Sequence, residues 1–458
     1  MLKISTSSLL RTAAAWAAAL GLFCRAHVGH ANGRYPKADQ LVIAQGDAAS
    51  LTVRATFGFL VSRDSGKNWD WICERAIGYS GVQDPTIGVM EGGTLIASLA
   101  EGIARSTDQG CSWGFSEATL SDSPVIDLTV QRDAPSHALA LLWDAQKVGY
   151  SSRFLASDDN GRSFVPYGRP IDPSVLVVTL DVAPSNPSRV YASGTRSVDG
   201  VRTGLLFRSD DDGEHWHEYP LPFDPKLEQG VYIAAVDPHD ADTVYLRTSS
   251  ATVSRLLVSH DGGEQVEVVY SGSLLAFALS PDGKQLYFGG EDGLYSGRAE
   301  DLKFEPRSGL RLLCLAATDE LLYACSDEHS GFTVGSSRDG GFSFEPLLHL
   351  NTVRGPLACS AAECEADWPL VRTQLGIARP AEADAGAGAS APDAGSEGGA
   401  GGSVNHQPEP RPPSTGSSCV AGRASASPAT GFALLLALAA ASFSRRCKSR
   451  VRFRPPAK

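Results

Sequence analysis

One short motif recurs along this chain and constrains its fold more than any other feature. The pattern S-x-D-x-G-x-x-W/F, called the motif below, has five full copies: Ser62-Asp64-Gly66-Trp69, Ser106-Asp108-Gly110-Trp113, Ser157-Asp159-Gly161-Phe164, Ser209-Asp211-Gly213-Trp216 and Ser337-Asp339-Gly341-Phe344. A further copy, Ser259-Asp261-Gly263, ends in Val266 instead of an aromatic residue. Successive serines are 44, 51, 52, 50 and 78 residues apart, so the last interval has room for a degenerate copy between Leu294 and Phe304. The spacing therefore predicts seven repeats.

A second marker divides each of the later repeats into strands. Four pairs of an aliphatic residue and a tyrosine follow a turn that itself follows an apolar run: Val190-Tyr191, Val244-Tyr245, Leu286-Tyr287 and Leu322-Tyr323. An apolar strand, a tyrosine strand, a third strand and a strand after the motif make four strands per repeat. Four-stranded sheets repeated about an axis form a β-propeller. We therefore predict an all-β fold, a single β-propeller of seven blades with four antiparallel strands each, over residues 35–378.

The residue types of the motif suit a tight hairpin turn. Ser and Asp side chains can hydrogen-bond to the turn's backbone, Gly accepts a positive φ, and the aromatic residue can pack between adjacent sheets. The copies resemble the Asp-box, or BNR, repeats of sialidases, sortilin-type receptors, xyloglucan-cleaving enzymes and photosystem assembly factors. The resemblance covers most of the chain. It implies that the repeats lie at the blade periphery, away from the ligand, and that their residues have a structural role.

Six cysteines belong to the predicted propeller and form an even set for an exported protein. Cys314 and Cys325 flank a turn at Thr318-Asp319 and are expected to face each other. Cys359 and Cys364 are close enough in sequence for a small disulfide loop, which leaves Cys73 to pair with Cys111. No pair has zinc-ligand spacing with partner histidines, so a metal site is the weaker interpretation.

The N-terminus has the pattern of an export signal. Residues 1–31 combine the basic residues Lys3 and Arg11 with an apolar run from Thr12 to Cys24. Small residues precede a cleavage site before Asn32, as in a secretory signal peptide. The segment is therefore predicted to be removed on export.

The C-terminal part indicates attachment to the cell envelope. Residues 379–417 are rich in Ala, Gly, Pro and Ser and predict a disordered linker. Residues 418–458 contain Cys419, an apolar stretch from 429 to 443 and an arginine cluster, an arrangement that resembles the tripartite sorting tails of myxobacterial surface proteins. In that family the cysteine is the processing or modification point, here Cys419. The alternative is a short, plain transmembrane helix with basic residues inside. Either tail predicts a membrane-anchored protein of the cell envelope or outer surface.

Charge and missing motifs limit the function classes. The net charge is −12, and residues 1–31 and 418–458 contain basic but no acidic residues, so the propeller between them is more acidic and nucleic acid is an unfavourable partner for it. The chain has no G-x-S-x-G, H-E-x-x-H or phosphate-loop motif. A sialidase needs an arginine triad, and no R-I-P-like segment occurs between Tyr35 and Thr56. Other arginines, such as Arg54, Arg247 and Arg354, are interpreted as solvated or paired.

Two functions follow as hypotheses, without a cofactor or metal in either. The first is a binding or interaction module for a protein or glycan. The alternative is a glycoside hydrolase with an unrecognised active site on the propeller face. Two carboxylates clustered with an arginine patch at the central mouth would favour the hydrolase, and mixed polar and aromatic residues would favour the binding module.

Overall fold

A computed structural model describes residues 34–44, 46–118, 123–144 and 150–378. The predicted signal peptide (1–31), the linker (379–417) and the tail (418–458) with Cys419 lie outside these residues. The first strands along the chain are β1 (Ala38–Ala44), β2 (Asp47–Ala55), β3 (Gly58–Ser62), β4 (Asp70–Ile72), β5 (Ile87–Val89), β6 (Leu95–Leu99), β7 (Gly102–Ser106), β8 (Gly114–Phe115), β9 (Glu117–Ala118), β10 (Val125–Val130), β11 (Ala138–Asp144), β12 (Ser151–Ser157) and β13 (Ser163–Tyr167). The remaining strands are β14 (Val175–Val182), β15 (Val190–Val198), β16 (Val201–Ser209), β17 (His217–Pro220), β18 (Glu228–Val236), β19 (Val244–Ser250), β20 (Ser254–Ser259), β21 (Glu267–Gly272), β22 (Ala276–Leu279), β23 (Gln285–Gly290), β24 (Gly293–Arg298), β25 (Phe304–Ser308), β26 (Cys314–Ala317), β27 (Leu322–Cys325), β28 (Val334–Ser337) and β29 (Glu345–Leu348).

The strands form seven sheets, and each sheet is a blade of four consecutive antiparallel strands. The blades are β1–β4, β5–β8, β10–β13, β14–β17, β18–β21, β22–β25 and β26–β29, numbered 1 to 7 below. The short strand β9 adds to the outer edge of blade 3 as a parallel fifth strand. The seven-bladed, four-stranded prediction is confirmed. The first strands of neighbouring blades pack against one another around the centre of the ring.

Burial along the strands follows from the stacking of blades. In β14 the sequence VLVVTLDV places its valines and Leu180 in the interior at near-alternate positions. The third strand of blade 1, GFLVS, is buried at every position. A strand in the middle of a blade is covered on both faces by neighbouring sheets and therefore carries an uninterrupted apolar run.

Blade 6 contains the degenerate repeat. Residues 294–304 span β24 and the start of β25, as the interval between motif copies predicts. The turn between these strands has no serine or glycine of the motif. It is closed instead by the Leu302 amide donating to the Arg298 carbonyl at 3.0 Å, with Leu302 at a φ of 50°. The blade keeps its four strands because pairing of β24 with β25 does not depend on the motif.

The segment after blade 7 closes the ring. It contains the 3₁₀ turns Leu350–Thr352 and Ala358–Ser360 and the helices labelled α2 (Ala361–Cys364) and α3 (Trp368–Gln374) below, after α1 (Glu74–Ile77). Pro356 forms a parallel bridge with Trp71 at the outer edge of blade 1. Strand β9, which follows blade 2, pairs with the outer edge of blade 3 in the same way. The closing segment therefore pairs in parallel with the outer edge of a blade, as β9 does with blade 3.

Three disulfides are present, and two of them differ from the predicted pairs. Cys314–Cys325 joins directly opposite residues of β26 and β27, as predicted. Cys73 pairs with Cys364, and Cys111 pairs with Cys359, so the predicted Cys73–Cys111 and Cys359–Cys364 pairs are wrong. The reason is the path of the closing segment, which brings each of its cysteines to a different one of the first two blades. Disulfides are typical of proteins that fold in an oxidising compartment, which agrees with export.

Candidate functional site

The propeller has two faces with different chemistry. One, named the motif face here, carries the turns between third and fourth strands and those between first and second strands. The other, named the linker face, carries the segments between blades and the turns between second and third strands. Because strands alternate in direction, every motif copy lies on the same face.

The six motif copies share one hydrogen-bond pattern, shown here by blade 3. The Ser157 hydroxyl donates to Asp159 Oδ1 at 3.0 Å and accepts the Gly161 amide at 3.0 Å. Asp159 Oδ1 also accepts the Ser163 amide at 2.8 Å, and Oδ2 accepts the Ser163 hydroxyl at 2.7 Å. Hydrogen bonds lower the pKa of Asp159 even though burial opposes ionisation. The serine and aspartate are thus occupied within their own turn.

The motif glycine lies so close to the neighbouring blade that a side chain would not fit there. A Cβ on Gly110 would lie 2.4 Å from Ile72 of blade 1, and one on Gly341 would lie 2.2 Å from Leu294 of blade 6. The Trp69 indole nitrogen donates to the Leu347 carbonyl of blade 7 at 2.9 Å. Motif residues therefore pack against the preceding blade. One feature of the turn has no counterpart in the predicted pattern: the residue before each glycine, such as Asn160, also has a positive φ.

Exposed apolar side chains concentrate on the linker face. Of the 13 large apolar side chains that are exposed in the described part of the chain, eight lie there: Tyr35, Val82, Tyr150, Val198, Val201, Leu227, Val253 and Leu275. Three others are on fourth strands at the blade edges, Leu370 is on α3, and only Phe342 is in a motif turn. Interaction surfaces are richer in exposed apolar groups than the rest of a protein surface, so the face with most of these side chains is the better candidate. The linker face is therefore the candidate ligand face.

Blades 4 and 5 and the segment between them carry four of these eight side chains, and that segment is held by hydrogen bonds and an ion pair. The hairpin of β15 and β16 ends at the exposed residues Val198 and Val201. Glu228, buried at the start of β18, accepts the Arg255 Nε at 2.6 Å and the Asp224 amide at 2.7 Å. Burial opposes ionisation of Glu228, but its hydrogen bonds, led by that from Arg255, keep its pKa below the ordinary value. The ion pair fixes the backbone that presents the neighbouring Leu227.

Two half-buried aspartates lie on the first strands of blades 3 and 4, which face the centre of the ring, and are called the channel carboxylates below. Asp127 Oδ2 accepts the Leu180 amide at 3.0 Å, and Asp181 Oδ1 accepts the Thr129 hydroxyl at 3.0 Å. Burial raises the pKa of each to about 6, and for Asp127 the charge of Asp181 adds to the effect. Each carboxylate keeps partial contact with solvent. Both link the inner strands of adjacent blades.

The expected arginine patch does not accompany these carboxylates in the described part of the chain. Arg54 pairs with Asp39, and Arg354 pairs with Asp70. Arg247 is half-buried and is not ion-paired with a described residue. Its guanidinium lies 4.8 Å from the Tyr232 ring centre, and burial lowers its pKa. No arginine contributes to the pKa shift of Asp181. Asp127 and Asp181 therefore lack the arginine partners of the hydrolase hypothesis among the described residues.

Sequence reasoning missed the two channel carboxylates. A signal was present, because each is a single aspartate inside an otherwise apolar inner strand, VIDLTV and VLVVTLDV. Such a residue must either be paired in the interior or face the channel. Among the described residues, no group of three or more His, Cys, Asp or Glu side chains is placed to hold a metal ion. Within the same ranges, none of the helices is both long and apolar enough to span a membrane.

Comparison with known proteins supports the propeller fold. No family model and no curated protein matches the chain. Among solved structures, an ancestral GH74 enzyme superposes with a TM-score of 0.50 at 12% identity, covering 69% of this chain and 46% of that chain. A puromycin-hydrolyzing peptidase of Mycobacterium tuberculosis gives 0.48 at 12% identity (70% and 54%), and hydrazine synthase of Kuenenia stuttgartiensis gives 0.46 at 14% identity (69% and 99%). This chain thus spans less than half of the GH74 enzyme. The class shown is a seven-bladed β-propeller, and identities this low carry no function.

Proposed function

We propose that this protein is an exported β-propeller that binds a protein or glycan ligand through its linker face. The concentration of exposed apolar side chains on that face carries the proposal. The residues of the motif face are engaged differently, since its serines and aspartates bond within their turns and its glycines contact the preceding blade. An apolar surface with interspersed ion pairs on a rigid scaffold has the composition of an interaction site.

Binding is tested by probing the exported protein with two arrays. One array carries xyloglucan oligosaccharides, sialylated glycans and peptidoglycan fragments, and the other carries purified secreted proteins. We expect saturable binding to at least one probe. Absence of binding to every probe at micromolar protein would count against the proposal.

A second candidate function, glycan hydrolysis, is favoured by one observation. Two carboxyls with raised pKa values near neutrality share the channel, and such groups are the usual acid catalysts of glycosidases. Against it, both are hydrogen-bonded to the scaffold. The same glycan probes discriminate the functions: release of shorter oligosaccharides by the wild type, abolished by Asp127→Asn or Asp181→Asn, would establish the enzyme.

We further propose that the C-terminal tail attaches the propeller to the envelope. In support, residues 379–417 have the composition of a linker, and the tail beyond contains Cys419 and an apolar stretch. A stop codon after Ser417 is expected to release folded protein into the medium. Cys419→Ser should block processing if the tail is a sorting signal and have no effect if it is a plain anchor. Truncated protein that still sediments with membranes would exclude both.

A further inference from the structure

A cavity at the junction of blades 1 and 2 has no part in the proposed function. Its volume is about 210 Å³, and it opens on the motif face, opposite the proposed ligand surface. Its lining includes Thr52, Val61 and Arg63 of blade 1, and the Gly92-Gly93 turn and Leu95 of blade 2. A cavity of about 150 Å³ holds benzene in another protein. This one is therefore large enough for an aromatic ring.

The cavity exists because Thr52 takes a position that other blades give to tyrosine. Thr52 pairs with Val61, one step from the pair formed by Leu51 and the motif serine Ser62. At the same step from their own motif serines, blades 4, 5 and 7 have Tyr191, Tyr245 and Tyr323. All three tyrosines are buried.

The position of these tyrosine rings identifies what is missing beside Thr52. The Tyr191 hydroxyl donates to the Ala241 carbonyl at 2.7 Å, in the turn between the first two strands of the next blade. The corresponding turn facing Thr52 contains Gly92 and Gly93, which have no side chains to fill the space. The cavity thus has the place and size of a tyrosine ring that this chain does not supply.

The polar groups of the cavity include a cation, Arg63, and a carboxylate, Asp47, which differ in their open hydrogen-bonding positions. Thr52 is only 7% exposed, and its hydroxyl has no hydrogen-bond partner among the described residues. Arg63 is exposed, and its Nη2 donates to the Gln109 carbonyl at 3.0 Å and to Cys111 Sγ at 3.7 Å, while its Nε and Nη1 have no protein partner in the same ranges. Asp47, also at the cavity, is engaged by the Ala49 amide and the Ser50 hydroxyl. The groups at the cavity with open hydrogen-bonding positions are therefore the Arg63 guanidinium and the Thr52 hydroxyl.

We propose that this cavity binds a small aromatic acid. The ring occupies the space that Tyr191, Tyr245 and Tyr323 fill elsewhere in the ring of blades, and the carboxylate bonds to Arg63. A guanidinium with two open donors suits a carboxylate. This site and the linker-face site are independent, so loss of one leaves the other intact.

Calorimetric titration of the exported protein with 3-(4-hydroxyphenyl)propionate tests the proposal. Tyramine and p-cresol, which replace the acid by an amine or omit it, serve as matched probes. We expect the acid to bind with a Kd below about 1 mM and at least fivefold more tightly than tyramine. Arg63→Gln should weaken the acid at least fivefold and leave p-cresol unchanged. Thr52→Tyr, which supplies the missing ring, should weaken every probe at least tenfold.

Thr52→Leu serves as a smaller filling substitution if the tyrosine variant does not fold. The proposal is overturned if the wild type does not bind the acid at millimolar concentration, or if the folded filling variants bind it as the wild type does. Equal affinities for acid, amine and p-cresol would also contradict it, because they would remove Arg63 from recognition.

Discussion

At the scale of single residues, the pKa values of aspartates are shifted in opposite directions in two parts of the propeller. Motif aspartates accept several hydrogen bonds close to solvent, which favours the ionised form; Asp64 has its pKa lowered to about 2, chiefly by the Asn68 side chain. Channel aspartates are enclosed, which favours the neutral form. As pH falls, the motif aspartates are therefore expected to lower the free energy of unfolding and the channel aspartates to raise it.

Asp64→Ala removes the acceptor of the first motif turn. Asp64 Oδ1 accepts the Ser62 hydroxyl at 2.9 Å and the Asn68 amide at 2.9 Å. We expect the free energy of unfolding at pH 7 to fall by about 1 kcal/mol, as for lost hydrogen bonds in a partly exposed turn. The ionised Asp64 stabilises above pH 4, and this contribution disappears as pH falls towards 2. Asp301→Ala, in the blade 6 turn without the motif, is the control and should have a smaller effect, since Asp301 accepts the Lys303 amide at 3.2 Å and otherwise has only a long, exposed ion pair with the Lys303 ammonium at 4.0 Å among the described residues.

Asp127→Asn tests the channel carboxyls by urea unfolding between pH 4 and 7. The folded state binds the Asp127 proton more tightly than the unfolded state, so this group's contribution declines as pH rises from about 4 through about 6. An asparagine can still accept the Leu180 amide and has no charge to bury. The wild type is expected to lose about 1 to 3 kcal/mol relative to the variant over this range. Parallel stability curves would show that Asp127 is not buried as described.

At the scale of elements, the second strand of each blade decides how its junction with the next blade is filled. Tyrosine fills it in blades 4, 5 and 7, Ile96 and Leu139 have the corresponding positions in blades 2 and 3, and Thr52 leaves a cavity in blade 1. Blades with the same backbone arrangement can therefore pack differently against the next blade because of the residue at this one position. The tyrosine marker was visible in the sequence, but the cavity was not, because it depends on the turn of the following blade.

Tyr245→Thr is expected to recreate the blade 1 cavity at blade 5. Tyr245 is fully buried against Phe277, with ring centres 5.5 Å apart, and its hydroxyl has no described partner. Removing the ring should lower the free energy of unfolding by about 2 to 4 kcal/mol. p-Cresol should then raise the melting temperature of this variant more than that of the wild type. Tyr191→Thr should lose more stability, because it also deletes the bond to Ala241.

At the scale of the whole molecule, local and non-local features differed in how well the sequence predicted them. The blade count followed from the motif, whose Ser157 and Asp159 bonds are all within seven residues of chain. The Cys73–Cys364 disulfide joins residues 291 apart, and its partner choice depends on the path of the closing segment, which no local pattern encodes. The linker face was equally beyond a local pattern, because it is assembled from loops of every blade.

The ring-closing disulfides should matter more than the hairpin disulfide. The fourfold variant replaces Cys73, Cys111, Cys359 and Cys364 by serine and so removes cross-links between residues 291 and 248 apart. The double variant, Cys314→Ser with Cys325→Ser, removes a cross-link between residues 11 apart. Loop entropy assigns about 6 kcal/mol to the longest of these loops and about 3 kcal/mol to the short one. Urea unfolding should show the fourfold variant to be less stable than the double variant by at least about 3 kcal/mol. Equal losses would mean that the closing segment holds the ring without its disulfides.

The linker face as the ligand surface is tested most directly by matched substitutions on the two faces. Val198 and Val201 on the linker face are 57% and 58% exposed, and Phe342 on the motif face is 58% exposed. Val198→Asp with Val201→Asp and, separately, Phe342→Asp should leave the fold intact, as circular dichroism and melting can verify. On the glycan and protein arrays, the valine variant is expected to lose binding at least tenfold, and the Phe342 variant to bind as the wild type does. Loss of binding in the Phe342 variant with full binding in the valine variant would contradict the account.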